Sequence, residues 1–193
     1  RIVRGAAGHE LKEALQRAGF RERRNRFEDH LALSLPCAAV RRLRLPGLSA
    51  SGAPCRMEYG AWAEPLQRRR RDGAWATPLC LSPLKLLPQS EDDPAERATP
   101  YHQAVYRVGE DRIVLVLPAG ARPSRLPAEQ IKRDRFGFYT LKARATPAGV
   151  EIVRRYQYLP QRVTLEEWPE FVRLAREIEA AEQQVVEWVG AGP

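Results

Sequence analysis

The chain has 193 residues, of which 44% are hydrophobic and 29% are charged, and its formal net charge is +8 at pH 7. These values are ordinary for a globular protein with a substantial core, so they exclude a disordered chain. No apolar run approaches the ~20 residues that a membrane-spanning helix needs, so no membrane span is predicted.

Arginine dominates the basic residues, with 28 arginines against four lysines. Such an excess is compatible with nucleic-acid recognition, because guanidinium groups bind phosphates and base edges. The arginines are scattered over the whole chain, however, and this favours the codon bias of a GC-rich genome. The only dense cluster in the sequence is Arg68, Arg69, Arg70 and Arg71, followed by the turn signal Asp72–Gly73. It is interpreted as a charged loop between edge strands, with an anion-binding site as the alternative.

Two helices and a series of strands are predicted in the first half. Residues 8–19 and 22–35 carry apolar side chains at helical spacing, and Gly19 and Pro36 are suited to end these helices. From residue 37 the pattern changes to alternating apolar and basic residues with interspersed prolines. This pattern predicts strands within residues 38–87, some of them at a sheet edge.

The second half is predicted to consist mainly of strands. Residues 88–100 form a polar, turn-rich loop, which is the best candidate for an internal boundary. The apolar run within residues 111–118 predicts a strand covered on both faces. Residues 135–163 predict two strands joined by a hairpin loop at Thr146–Gly149.

The strongest pattern lies in residues 163–189 and predicts an amphipathic helix packed on a sheet. Thr164 and Glu167 have the spacing of a capping box, and Pro169 lies in the opening turns, where a missing N–H costs least. Residues 183–189 predict one last short strand. The apolar stripe of the helix consists of Phe171, Leu174, Ala175, Ile178, Ala181 and Val185.

No catalytic or metal-binding constellation stands out in the sequence. The cysteines and histidines lie neither in a nucleophile motif nor at zinc-ligand spacing; they are Cys37, Cys55, Cys80, His9, His30 and His102. The cysteines allow one disulfide with one thiol left over, or three reduced thiols. We therefore predict no enzyme activity, no cofactor and no metal. A cryptic hydrolase that uses Cys55 or Cys80 is the least favoured hypothesis for the function.

The second half has a distinctive order of features: an apolar strand, two Leu–Pro pairs around a glycine, an aromatic hairpin, and a helix start with acidic residues, Trp and Pro. This order resembles the C-terminal β-rich module of bacterial multidomain transglutaminase-like proteins. In that family an N-terminal β domain precedes a papain-like core that carries the catalytic Cys, His and Asp, and no stretch of this chain matches those motifs. The matching positions, all interpreted as architectural, are Arg97, Pro100, Leu117, Pro118, Gly120, Leu126, Pro127 and Trp168.

The predicted fold is mainly β and antiparallel, similar to a β-sandwich, with two N-terminal helices and one C-terminal amphipathic helix (α+β by count). We expect a single module over residues 1–193, with an internal boundary at residues 88–100 as the alternative. The chain begins with Arg1 rather than Met, which predicts a fragment or a processed product. The compartment is left open between the cell envelope, which the resemblance implies, and the cytoplasm.

The resemblance implies a non-catalytic accessory or interaction domain of a transglutaminase-like protein, which supports the core or presents a partner or substrate. Its partners would be other domains of the same polypeptide or another protein. The second hypothesis is an independent module that uses Arg68–Arg71 to bind an anionic partner. This partner is either a charged surface or nucleic acid, and nucleic acid is the less favoured of the two.

Overall fold

The computed structural model describes residues 2–4, 12–32, 38–49, 55–63, 68–79, 81, 84, 86–87, 97–103 and 107–190. These residues are mainly β, with four antiparallel sheets and three helices, which confirms the predicted fold class.

Most strand pairings among the described residues join strands that are not consecutive along the chain. The helices are α1 (residues 12–17), α2 (Phe20–Ala32) and α3 (Trp168–Glu182). The strands are β1 (Ile2–Arg4), β2 (Ala38–Arg44), β3 (Cys55–Arg56), β4 (Glu58–Ala63), β5 (Arg68–Arg69), β6 (Trp75–Pro78), β7 (Tyr101–Gln103), β8 (Arg107–Val116), β9 (Arg122–Arg125), β10 (Gln130–Asp134), β11 (Gly137–Thr146), β12 (Gly149–Tyr158), β13 (Gln161–Val163) and β14 (Val185–Val189). One sheet has the order β10-β11-β12-β8-β1-β3 and another the order β5-β6-β14-β9, while β13-β7 and β2-β4 are two-stranded.

The predicted hairpin forms the middle of the six-stranded sheet. β11 and β12 pair over their whole length, and Pro147–Ala148 form the turn, which confirms the hairpin prediction. Gly149 has a φ of 143°, and a Cβ atom there would lie 2.1 Å from the carbonyl oxygen of Leu115. Glycine therefore allows the start of β12 to approach β8 closely.

Helix α3 packs on the inner face of the six-stranded sheet, as its amphipathic pattern predicts. The predicted stripe residues from Phe171 to Ala181 are buried in the same hydrophobic cluster as Tyr139, Ile152 and Tyr156 of the hairpin. The helix ends at Glu182, so the last stripe residue, Val185, belongs to β14 instead.

The start of α3 contains the predicted capping contacts, shifted to the turn that precedes the helix. The Thr164 N–H donates to Glu167 Oε2 at 2.8 Å, and the Glu167 N–H donates to Thr164 Oγ1 at 3.4 Å. The helix itself begins at Trp168 and has Pro169 in its first turn. The reciprocal hydrogen bonds thus set the direction in which the chain enters the helix.

The last strand confirms the prediction for residues 183–189 and connects the two halves of the chain. β14 pairs with β6 on one side and with β9 on the other. Trp188 is fully buried, stacks on Trp75 with ring centroids 5.6 Å apart, and donates its Nε1–H to Thr77 Oγ1 at 3.0 Å. β1 also pairs with β8, so strands from both sides of residues 88–100 share sheets. Leucines from before that loop lie in the same core: Leu79, Leu81, Leu84 and Leu86.

The N-terminal helices form a smaller packed unit with β2 and β4. Helices α1 and α2 correspond to the two predicted helices, and Gly19 lies between them. Phe27 of α2 contacts Tyr59 of β4 at 4.7 Å between ring centroids, and the Val40 N–H donates to Glu28 Oε1 at 3.0 Å. The predicted end of the second helix at Pro36 lies outside the described residues.

One strand prediction was wrong. The run within residues 111–118 was expected to be covered on both faces, but Val114 is 52% exposed and Val116 is 75% exposed. α3 covers only the inner face of this sheet, and no described element covers these two side chains on the other face. The short strands β1 and β10 were also not predicted, and residues 161–163 form a separate strand, β13, rather than the end of the hairpin's second strand.

Candidate anion-binding face

The predicted arginine cluster lies at the edge of the four-stranded sheet. Arg68 and Arg69 form β5, and the chain then turns back into β6. The Gly73 N–H donates to the Arg70 carbonyl at 3.1 Å, and the Ala74 N–H donates to Asp72 Oδ1 at 3.1 Å. Gly73 has a φ of 84°, a left-handed conformation that glycine adopts readily. The turn predicted at Asp72–Gly73 is confirmed.

Strand pairing brings arginines from distant parts of the sequence onto one face of this sheet. Arg68 pairs with Ala76, Ala76 with Glu187, and Glu187 with Arg125. Directly opposed residues in an antiparallel sheet point to the same face. Because Val186 and Trp188 on either side of Glu187 are buried in the core, this row points outward.

Arg122 belongs to the same outer face, since it pairs with Val189. Arg70 reaches this face too, because its guanidinium forms an ion pair with Glu187. We define the basic face as the outer side of the four-stranded sheet. Its members are Arg68, Arg70, Ala76, Pro78, Arg122, Arg125, Val185, Glu187 and Val189.

The carboxylate of Glu187 lies among these arginines, and Asp72 Oδ2 in the turn lies 3.7 Å from Arg70 Nε. The Glu187 side chain is 12% exposed and lies between Arg70, with which it forms an ion pair, and Arg125, whose Nη1 is 3.9 Å from Glu187 Oε1. Arg68 and Arg122 are exposed and form no ion pair with another described residue. The face therefore carries excess positive charge, and two of its guanidinium groups already hold a carboxylate.

The sequence predicted one side of this face, through Arg68 and Arg70, and missed the other. Of the other two predicted cluster members, Arg69 pairs with Trp75, whose ring lies on the inner side of the sheet, and Arg71 is exposed in the turn. Arg122 and Arg125 lie about fifty residues downstream of Arg68–Arg71, in a segment interpreted as a turn and a short extended piece. The pairing of β14 with both β6 and β9 brings the two groups together. Local sequence patterns do not encode such a pairing. The only signal in the sequence was the presence of two further arginines, Arg122 and Arg125, in that segment.

The architectural positions from the family pattern occupy turns and the start of α3. Arg97 lies over two rings, 5.2 Å from the centroid of Tyr101 and 5.1 Å from that of Trp168. Trp168 is 3% exposed and anchors the first turn of α3 in the core.

The two Leu–Pro pairs each follow the end of a strand. β8 ends before Leu117–Pro118, and β9 ends before Leu126–Pro127. The Ala121 N–H donates to the Pro118 carbonyl at 3.0 Å, which closes a turn, and Gly120 has a φ of 79° there. Leu–Pro thus separates strands, as expected from the missing proline N–H.

The cysteines and histidines give no assembled site in the described residues. Cys55 lies in β3 and His102, which is exposed, lies in β7 of a different sheet. Cys37, Cys80 and His9 lie outside the described residues. Among the residues that the structure describes, no group of three or more His, Cys, Asp or Glu side chains is placed to hold a metal ion.

A buried ion cluster, which the sequence reasoning did not detect, lies between α3 and the six-stranded sheet. Arg154 is fully buried and forms ion pairs with Asp111 of β8 and Glu182 of α3. Glu182 Oε2 also accepts a hydrogen bond from the Leu84 N–H at 3.1 Å.

Burial sets the electrostatics of this cluster. It raises the pKa of Glu182 even though Arg154 acts in the opposite direction. Burial also opposes the charge of Arg154, but Asp111 and Glu182 hold the pKa of Arg154 above its ordinary value. The cluster is enclosed by core residues, and we therefore interpret it as a structural link between α3 and the sheet.

No protein-family model matches the chain, and neither the curated proteins nor the solved structures that were compared with it show a match. The resemblance to transglutaminase-like proteins stays a prediction. Among the described residues, no helix combines the length and apolar character needed to cross a membrane.

Proposed function

We propose that the chain is a non-catalytic interaction module that binds an anionic partner through the basic face. The observation that supports this is the assembly of Arg68, Arg70, Arg122 and Arg125 on one outer sheet surface, from two segments that lie about fifty residues apart in the chain. Guanidinium groups bind carboxylates and phosphates in well-defined geometry, and clustered positive charge also speeds the encounter with an anionic partner.

Immobilised heparin, a sulfated polyanion, provides a first test of the proposal. A variant with Arg68, Arg122 and Arg125 changed to Ser is expected to elute at a clearly lower salt concentration than the wild type, since it loses three outward charges. The matched control changes Arg112, Arg133 and Arg155 to Ser, which removes the same charge from the outer face of the six-stranded sheet. If both variants lose binding equally, retention depends on net charge alone and the proposal fails.

The predicted setting of this module is a transglutaminase-like protein, in which it would present the anionic partner to the catalytic core or support that core. This setting rests on the order of features in the second half of the sequence. The coding sequence upstream of Arg1 tests it directly. A papain-like set of Cys, His and Asp there would support the setting, and a start codon immediately before Arg1 would overturn it, while the binding proposal would stand.

A further inference from the structure

The basic face has an apolar centre between two charged margins. Ala76, Val185 and Val189 lie on its middle strands, and the arginines of β5 and its turn are on one side with those of β9 on the other. Val185 and Val189 are half-buried. Protein–protein interfaces have this anatomy, an apolar centre within a polar rim, and arginine is enriched in them.

The charges within the face match carboxylate groups. Arg70 and Arg125 already hold the Glu187 carboxylate, so the spacing of these guanidinium groups suits such a ligand. Glu187 also places a negative charge in the middle of the face. Because this charge is matched by Arg70 and Arg125, the centre of the face offers little free positive charge to a continuous phosphate backbone, whereas a protein segment can place an apolar side chain at that point.

Aromatic rings are missing where a single-stranded nucleic acid would need them. Bases of single strands stack on exposed rings, and this stacking supplies much of their binding. Trp75 and Trp188 stack on each other on the opposite, inner side of the sheet. The basic face thus offers no stacking surface among its described residues.

We propose that the partner of the basic face is a protein segment in which acidic side chains flank apolar ones. This inference rests on the proposed function and specifies its partner. The acidic groups bind Arg68, Arg122 and the outward sides of Arg70 and Arg125. The apolar groups cover Ala76, Val185 and Val189.

The test compares three probes on the whole chain at physiological salt by isothermal titration or fluorescence anisotropy. The first is a short peptide that alternates glutamate and valine, the second has serine in place of valine, and the third is a DNA duplex of similar length. We expect the Glu/Val peptide to bind at least about fivefold more tightly than the Glu/Ser peptide, because burial of a few methyl groups supplies this difference. The duplex should bind more weakly than the Glu/Val peptide.

A variant with Val185 and Val189 both changed to Thr keeps the strand shape and should abolish the preference for the Glu/Val peptide. Its circular dichroism spectrum and melting temperature report whether the sheet is intact. Equal binding of the two peptides, or tighter binding of the duplex, would overturn the inference and leave the proposed anion binding in place. If none of the three probes binds, both the inference and the proposed function fail.

Discussion

Arg154 lies directly opposite Asp111 across strands β12 and β8, and its Nε and Nη2 atoms both donate to the same carboxylate oxygen, Oδ2. The Nε bond is 2.9 Å long. Glu182 of α3 pairs with the Nη1 atom, so one fully buried guanidinium joins two strands and the helix. Removal of one partner from a buried ion cluster leaves the others without compensation, which costs more than the intact cluster contributes.

We predict that Arg154→Met lowers the free energy of unfolding at pH 7 by about 3–5 kcal/mol, because it leaves Asp111 and Glu182 buried without a counter-charge. The matched control is Arg155→Met on the same strand. Arg155 points to the outer face and forms an exposed pair with Glu110 at 3.0 Å. The control should lose less than about 1 kcal/mol. Urea unfolding of both variants measures the difference.

The stability deficit of Arg154→Met should shrink as the pH falls from 7 towards the ordinary glutamate pKa of 4.5. Burial raises the pKa of Glu182 already in the wild type, and loss of Arg154 raises it further. The folded variant then binds protons more readily than the unfolded chain, so acidification stabilises it.

The wild type contains carboxylates with the opposite behaviour. The hydrogen bond from Arg144, aided by Arg112, lowers the pKa of Glu151, so its contribution is present above the ordinary glutamate pKa and is lost as the pH falls through the lowered value. Arg154→Met keeps Glu151 and its two arginines, so it loses this contribution on acidification as the wild type does, and the difference between the two proteins is unaffected. A deficit that stays constant or widens on acidification would contradict the assignment of Arg154 as the counter-charge.

Gly149→Ala should destabilise the chain far more than Gly120→Ala. Both glycines have positive φ, 143° and 79°, but a Cβ at Gly149 would lie 2.1 Å from a backbone oxygen, whereas nothing lies within 4 Å of a Cβ at Gly120. We expect Gly120→Ala to cost about 1–2 kcal/mol from backbone strain alone. Gly149→Ala should cost ~3 kcal/mol or more, since backbone atoms must also move. Thermal or urea unfolding decides this, and equal costs would show that β8 and β12 separate easily at this point.

Glu187→Gln should strengthen binding of the chain to heparin, because it releases Arg70 and Arg125 from their internal carboxylate. The retention salt concentration should rise, and the dependence of log K on log salt should steepen by about one unit. Glu110→Gln is the matched control, since it adds the same net charge on the six-stranded sheet and should change retention little. A rise of equal size in the control would show that the effect is not local to the basic face.

Trp168→Ala should lower the free energy of unfolding by about 3–5 kcal/mol, because the ring is buried against Tyr101 and Phe171 at centroid distances of 5.4 and 5.8 Å. Arg97→Met should cost about 1 kcal/mol through its contacts with the two rings. In the double variant the cost of Arg97→Met should fall, since one of its rings is gone. Strict additivity in this double-mutant cycle would show that Arg97 does not interact with Trp168.

Local sequence patterns predicted the elements whose signals lie within a few residues. The hairpin loop, helix α3 and the short last strand were all readable, since turn chemistry and helical spacing are local. The helix nevertheless begins at Trp168, with Glu167 rather than the predicted Thr164 as its N-cap residue. The prediction that the strand within residues 111–118 is buried on both faces was wrong. A continuous apolar run does not reveal whether a second layer lies over it, and Val114 and Val116 are exposed on the side opposite α3.

The sequence by itself determined the mainly β fold class, the helix on the sheet and the turn that presents Arg70, because periodicity and turn residues act over short distances. Only the tertiary structure decided which arginines lie together. β14 pairs with β6 and β9, and this brings Arg68 and Arg125 to either side of Glu187. It likewise placed Arg154 in the core between two carboxylates, although its neighbour Arg155 is exposed. The physical reason is that strand pairing depends on the burial of side chains from the whole chain.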